Sequence, residues 1–206
     1  MNNILLERLV IDTDLELDNI DSSVVDILDN ITLKLNLNKS KNITFNLGNN
    51  SHLIIYKTYN EKDINEEINI NLNGEGSTLD YRFSTLTKDN QKYIINVYHN
   101  NKHTISNIIN RGVVINDSKL VFEVNSYVSK GNINSVLNQE SKIIIMSKNN
   151  SIIKPNLYID EYNVDARHAA SIGKFNKDEI FYLMTKGLSK KDSTNLLIDG
   201  FLNIRR

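Results

Sequence analysis

Cysteine is absent from the sequence, and several other residue types are scarce. The 206 residues include no Cys, no Trp, a single Pro and eight Gly. Without Cys, disulfides and metal sites built on this chain's own thiolates are excluded. So little Pro and Gly indicates that no flexible linker divides the chain. Aromatic residues make up only 7%, which argues against an aromatic stacking platform for nucleic acid.

Charge is nearly balanced, and no apolar run is long enough to span a bilayer. A formal net charge of −1 argues against a nucleic-acid or anionic-membrane surface, because such surfaces need a basic excess. The N-terminus carries an early acid, Glu7, and no small-residue cleavage site, so it is not typical of a signal peptide. We therefore expect a soluble, cytoplasmic protein with no nucleic-acid and no membrane partner.

Apolar and polar residues alternate through the middle of the sequence. From Ile31 onward, runs such as Leu33, Leu35 and Leu37 have the period of two that is typical of half-buried strands. These runs recur roughly every ten residues, separated by polar clusters that read as turns. Many short strands at even spacing can form a sandwich, a barrel or a solenoid.

Three features favour a parallel β-helix modestly over a sandwich. Asn-Gly hairpin signals do not recur, since Asn73-Gly74 is the single such pair. The Asn-rich turns could stack between successive coils, and the strands lack the long central hydrophobic run of the α/β type. A solenoid also needs covered ends. We therefore predict an N-terminal cap segment over 1–30, a parallel β-helix core over 31–165 and a C-terminal helical region over 166–206.

Two short helices joined by a tight turn are predicted near the C-terminus. Apolar residues from Ile180 to Met184 give the first helix one apolar face. The start and stop signals are Asn176, Glu179 and Gly187 for the first helix, and Ser189, Asp192 and Gly200 for the second.

The same region carries a recognisable motif. Its parts are the segments His168–Gly173, Phe181–Leu183, Lys186–Leu188 and Leu197–Phe201. Together they resemble the C-terminal signature of the SufB/SufD family, the scaffold subunits of the SUF iron–sulfur cluster assembly system. Upstream pieces at 72–76, 99–106, 111–114 and 155–157 fall in matching order. The resemblance implies a mainly β fold, a right-handed parallel β-helix (solenoid) with a short C-terminal helical region.

The resemblance also implies a non-catalytic scaffold subunit. Its C-terminal helices would bind a SufC-like ABC ATPase, whose ATP-driven closure would strain the scaffold interface. The motif-matching positions are Phe181, Tyr182, Lys186, Gly187, Leu188 and Phe201. We expect Phe181 to face inward, and Tyr182 and Lys186 to face outward. The edge coil Ile143–Ile159 would pair with a second SufB/SufD-like subunit or with a copy of this chain.

His168 is the candidate metal ligand, shared with a partner subunit. By resemblance it matches a His that SufD-type members place where the nascent cluster forms, and imidazole can ligate iron or relay protons. The alternative is a surface His with an ordinary hydrogen bond. Ala166 stands where many members carry Cys, and Arg167 adds a fixed positive charge. This chain alone is therefore expected to bind no cofactor, a transient iron–sulfur cluster at a subunit interface being the implied cargo.

The other candidate residues are better explained as structural. His99 and His103 lie in a strand-and-turn pattern, so we expect a polar turn there, and His52 is expected in a turn. The acidic candidates do not recur at coil spacing, as converging carboxylates of a glycosidase would; they are Glu75, Asp80, Asp160, Glu161 and Asp165. Two alternatives stay open: a homodimeric β-helix that stabilises the ATPase without touching a cluster, and a carbohydrate-active β-helix protein.

Overall fold

The computed structural model describes residues 8–59, 61–148 and 150–204, which form fourteen strands and two helices. In chain order the elements are β1 Arg8–Ile11, β2 Leu15–Asp18, β3 Val24–Ile27, β4 Thr32–Leu37, β5 Ile43–Leu47, β6 His52–Tyr59, β7 Asn65–Leu72, β8 Thr78–Thr87, β9 Gln91–His99, β10 Ile105–Val114, β11 Leu120–Val128, β12 Ser135–Ile145, β13 Ile152–Ile159, β14 Val164–Gly173, α1 Lys177–Thr185 and α2 Lys190–Leu202.

Successive strands alternate between two parallel sheets of seven strands. The odd-numbered strands form one sheet in the order β1 to β13, and the even-numbered strands form the other in the order β2 to β14. Each strand from β3 to β12 therefore pairs with the strand one coil earlier and the strand one coil later. This topology confirms the predicted parallel β-helix.

The coils lengthen along the chain. In the even sheet Leu15 pairs with Leu33, 18 residues on, whereas Ile105 pairs with Val136, 31 residues on. The strands lengthen too, from four residues in β1 to eleven in β12. The solenoid is therefore narrow at its N-terminal end and wide at its C-terminal end.

The interior holds more polar side chains after the first coils. Inward side chains stack in columns because parallel pairing keeps registered residues on one face. One such column is Leu17, Leu35, Ile55, Tyr81, Ile108, Gln139 and His168. Fully buried Leu and Ile side chains in the early coils each contribute about 1.5–3 kcal/mol to stability. The last coils bury Asn110, Gln139 and Ser141 beside apolar side chains such as Leu137 and Ile143.

Ladders of identical side chains run along the outer face of the odd-numbered sheet. Asn96 donates to Asn69 (2.9 Å), Asn125 to Asn96 (2.8 Å) and Asn156 to Asn125 (2.8 Å). Asn pairs were expected in the turns, where Asn100 donates to Asn73 (2.9 Å) and Asn163 to Asn134 (2.7 Å), and this further ladder lies within strands. A second ladder stacks the rings of Tyr98, Tyr127 and Tyr158, with centroids 4.7 and 4.8 Å apart.

The boundaries of the solenoid differ from the predicted ones at both ends. β1 to β3 already belong to it, so residues 8–27 are solenoid strands rather than a separate cap; residues 1–7 lie outside the described part. At the other end β14 runs to Gly173, beyond the predicted limit of 165. β1, β2 and β14 are terminal strands with a neighbour on one side only, and β2 and β14 show little alternation of buried and exposed residues.

The two helices form where the sequence predicts them, with different details at the caps. The Asn176 side chain accepts from Asp178 N, rather than from Glu179 as expected. Ser189 accepts from Asp192 N, as predicted. Gly187 has a φ of 94°, the left-handed conformation that favours glycine. Gly200 does not end the second helix, which continues to Leu202.

The helices are attached to the solenoid through α2. This helix packs on β8 and β10, and α1 packs on α2. Arg82 Nη1 donates to Ile204 O (3.1 Å), and the Arg111 guanidinium lies 5.7 Å from the centre of the Phe201 ring. Neither helix in the described part of the chain is long and apolar enough to cross a membrane.

Candidate functional site

The last coil leaves both sheets with a free edge. Among the described residues, β13 pairs only with β11, and β14 only with β12. Tyr158 is 51% exposed and Ile172 is 44% exposed along these edges. The predicted edge, Ile143–Ile159, is wrong in part, because Ile143 lies on β12, which has partners on both sides. Unpaired strand edges with exposed apolar residues are templates for pairing with another chain.

His168 lies on this edge, at the open end of the solenoid. It is exposed and in register with buried Gln139, so both occupy the same inward-facing column. Gln139 Nε2 in turn donates to Ser126 Oγ (2.8 Å). The polar end of this column therefore terminates in the exposed imidazole of His168. An imidazole can offer one nitrogen to a metal ion or carry a proton.

The neighbours of His168 do not complete a metal site within this chain. Arg167 points to the other face of β14, and two hydrogen bonds (3.1 and 2.8 Å) pair it with Asp165, which balances the positive charge. Ala166 supplies no ligand atom. The described ranges contain no group of three or more His, Cys, Asp or Glu that could hold a metal ion.

The predicted partner-binding residues lie on the helices, and their exposure differs from expectation in one case. Phe181 was expected to face inward, but it is 61% exposed, as is Tyr182. The Lys186 ammonium lies 5.3 Å from the Tyr182 ring centre, so both face outward as predicted. Phe201 instead packs edge-to-face on Phe175 at 6.2 Å and covers the solenoid.

No side chain of helix α1 is fully buried, although Ile180 and Leu183 are half-buried where α1 packs on α2. Gly187 and Leu188 follow it in the exposed connection to α2. A helix of nine residues is marginal in water without tertiary packing of an apolar face. Its two exposed aromatic rings therefore mark a surface that would gain stability from a partner.

Comparison with known proteins shows which family has this architecture. The family model for the SUF system iron–sulfur cluster assembly SufBD core domain matches residues 20–201. The chain belongs to the SufBD family. This confirms the resemblance seen in the sequence motifs.

Curated SufBD relatives are similar at moderate identity. The chain is 30% identical over 146 residues to the iron–sulfur cluster assembly protein SufD of Bacillus subtilis, covering 69% of this chain and 33% of that protein. It is 30% identical over 103 residues to a SufBD family protein of Synechocystis, covering 50% of this chain and 23% of that one. A SufBD family protein of Archaeoglobus fulgidus is 34% identical over 98 residues, covering 47% and 23%. The chain thus spans about a third or less of these relatives.

Two further histidines of this SufBD chain, His99 and His52, have structural roles, and His103 lies in an exposed turn, as expected. His99 was expected in a polar turn, but it ends β9 with its ring buried; Nδ1 lies 2.8 Å from Thr104 Oγ1 and Nε2 lies 2.9 Å from Ser106 Oγ. Burial lowers the pKa of His99 to about 4, so it is neutral at pH 7. His52 was expected in a turn, but it begins β6 and bonds Asp80 (2.8 Å), which lowers the pKa of that carboxyl.

The buried His99 makes the stability of the protein depend on pH. The unfolded chain binds a proton at His99 near pH 6.5, whereas the folded chain resists it down to about 4. We therefore expect the free energy of unfolding to fall by up to about 3 kcal/mol as the pH drops through this window. Urea denaturation at several pH values would measure it. A His99→Gln variant should lose this slope between pH 6.5 and 4.5, and an unchanged slope would contradict the assignment.

The acidic residues do not converge on a groove. Glu161 accepts from the backbone N–H groups of Gly131 and Tyr162, and Asp165 holds Arg167. Asp80 is engaged by His52 and by Asn107 Nδ2 (3.1 Å). These carboxylates act as local hydrogen-bond acceptors, which leaves the carbohydrate-active alternative without a paired acid and base.

Sequence reasoning missed a buried charged cluster at the centre of the solenoid. Lys57 Nζ donates to Glu66 and to Tyr81 Oη (2.7 Å), and Tyr59 Oη donates to Glu66 Oε1 (2.5 Å). Four aromatic rings surround the ammonium at 4.6–5.3 Å. Desolvation lowers the pKa of Lys57, and the charge of Glu66 opposes that shift. The sequence contains a signal of this cluster, because Lys57 and Glu66 occupy apolar-face positions of β6 and β7, in which buried and exposed residues alternate.

Proposed function

We propose that this chain is a non-catalytic scaffold subunit of a SUF-type iron–sulfur cluster assembly complex. It binds a SufC-like ABC ATPase through its C-terminal helices. Through its last coil it pairs with a second SufB/SufD-like subunit or with a copy of itself. The cluster is a transient cargo of the assembled complex, not a resident group of this chain.

The observation that carries the proposal is the exposure of α1. A nine-residue helix that has no fully buried side chain and carries Phe181 and Tyr182 on its surface has the character of an unoccupied interface. These residues also lie at the positions of the family motif. Family membership and surface chemistry therefore favour the same docking surface.

The free edges of β13 and β14 support the second contact. A partner strand could add to either edge by main-chain hydrogen bonds, with Tyr158 and Ile172 as apolar anchors. His168 would then lie at the seam between the two chains. It can supply one nitrogen ligand there, and the thiolates must come from the partner, since this chain has no Cys.

One alternative keeps the architecture but removes the cluster. The described residues offer no group of metal ligands within one chain, which fits a homodimer that only stabilises the ATPase. Iron binding by the purified complex separates the two functions. Loss of iron in a His168→Ala variant with intact ATPase binding supports the scaffold role, and unchanged iron supports the alternative.

We expect the chain to co-purify with the SUF-system ABC-type ATPase of its own organism. Changing Tyr182→Ala together with Lys186→Glu should weaken this binding at least about a hundredfold, because exposed aromatic and charged anchors at interface centres dominate affinity. Isothermal titration calorimetry would measure the affinity, and the complex mass in solution would be determined with and without ATP.

The matched control changes an exposed apolar residue and a lysine at the other end of the solenoid, Leu28→Ala with Lys39→Glu. This variant should bind as the wild type does. Equal affinity of wild type, control and the Tyr182/Lys186 variant would overturn docking at α1.

A further inference from the structure

A groove of about 400 Å³ lies between α1 and the end of the solenoid. Ile145 and Met146, from the end of β12, form one wall, and Phe181 and Met184, from α1, form the other. Met146 is 39% exposed and Met184 is 37% exposed, so the apolar surface is accessible to a side chain of another protein. Met and Phe side chains suit an interface that adapts to an apolar knob.

The rim of this groove is basic. Lys174, Lys177 and Lys190 line it, and no carboxylate of the described residues does. We call this surface the basic groove. Three ammonium groups around an apolar floor favour an occupant that is apolar at its centre and acidic at its margins.

The opposite face of α1 has the reverse charge. There Asp178 and Glu179 flank a smaller apolar patch that includes Tyr182, Leu183 and Leu197. The two sides of one helix thus differ in the sign of their flanking charges. A partner with the complementary pattern can bind α1 in one orientation only.

In the basic groove α1 also faces the end of the solenoid. α1 otherwise packs on α2, and α2 rests on β8 and β10. A segment seated in the groove would touch α1 and β12 together. It would therefore hold the helix against the strand that pairs with β14, the strand of His168.

We propose that the basic groove receives an apolar side chain of the ATPase partner, from a segment whose flanking residues are acidic. This inference rests on the proposed function. It assigns the face of α1 on which the docked ATPase would also contact the solenoid. Docking there ties the helical region to the last coil, so that movement of the ATPase acts on the edge that carries His168.

Charge reversal within the groove tests the proposal. Lys177→Glu with Lys190→Glu should weaken binding of the ATPase at least about tenfold, and the residual binding should depend less on salt concentration. Met146→Glu, on the solenoid wall, should weaken it by a similar factor. The matched control, Lys39→Glu with Lys102→Glu, makes the same change of net charge outside the groove and outside both helices, and it should bind as the wild type does. All these residues are at least partly exposed, and circular dichroism would verify folding.

The outcomes separate this inference from the proposed function. If the groove variants bind as tightly as wild type while the Tyr182/Lys186 variant does not, docking stands and the basic groove is overturned. If the Lys177/Lys190 variant weakens binding but Met146→Glu does not, the proposed contact with the solenoid is overturned. If the wild-type chain does not bind the ATPase at all, both proposals fall.

Discussion

Replacing Lys57 with Met should destabilise the protein by about 3–5 kcal/mol. The substitution leaves the Glu66 carboxylate buried in the solenoid without its counter-ion, and an uncompensated buried charge costs that much. Equilibrium urea denaturation would measure the loss. Adding Glu66→Gln should recover most of it, because a neutral amide can still accept from Tyr59 and from the Lys41 backbone N–H.

An exposed ion pair provides the control for this cycle. Lys34 and Glu16 lie 2.9 Å apart on the outside of the solenoid, with side chains 41% and 55% exposed. Lys34→Met should cost less than about 1 kcal/mol. Similar losses for Lys57→Met and Lys34→Met, or no recovery in the double variant, would show that the buried pair does not carry the predicted energy.

Gly74→Ala should destabilise the protein by about 3 kcal/mol or more. A Cβ at this position would lie 2.0 Å from the Gly48 carbonyl carbon and 2.1 Å from Asn49 N. Gly48 and Gly74 occupy equivalent turns of successive coils, where Gly74 N donates to Leu47 O (2.9 Å). Because the obstacle is backbone rather than a side chain, the coils must separate to admit the methyl group. Thermal unfolding monitored by circular dichroism would measure the effect.

Gly200→Ala should act in the opposite direction. Gly200 lies within α2, and a Cβ there meets no atom within 4 Å. Ala is favoured over Gly in helices by up to about 1 kcal/mol, so this variant should unfold at a slightly higher temperature. Equal melting temperatures for Gly74→Ala and wild type would rule out the close contact between turns.

The period-2 runs predicted most central strands because the middle coils have neighbours on both sides. Leu33, Leu53 and Leu79 are each buried by coils above and below, so alternation is strict. The first and last coils bury little. The sequence of β14 shows no regular alternation, and β2 alternates over only four residues, which is too short to identify a strand. Inward-facing polar residues such as Asn110 and Ser141 interrupt the apolar alternation, so the full length of β10 and β12 could not be predicted from the sequence.

The candidate site was predictable where the motif has local signals. Asn176 and Ser189 marked the helix starts, and the position of His168 followed from the family pattern. The inward orientation of Phe181 was wrong, because a helical period tells which residues share a face but not whether that face is covered. The basic groove depends on β12 and α1 approaching in space, which spacing along the chain does not reveal.

Because the coils lengthen along the chain, they contribute unequally to the stability of the fold. A solenoid's stability is close to a sum of terms between neighbouring coils, and those terms are small where β1 to β3 pair over four residues and larger where β10, β12 and β14 pair over ten. Fraying should therefore begin at the narrow end, and nucleation should begin among the wide coils. Any pull applied through the helices or the last edge acts on the most cooperative part of the molecule, which transmits the force instead of melting under it.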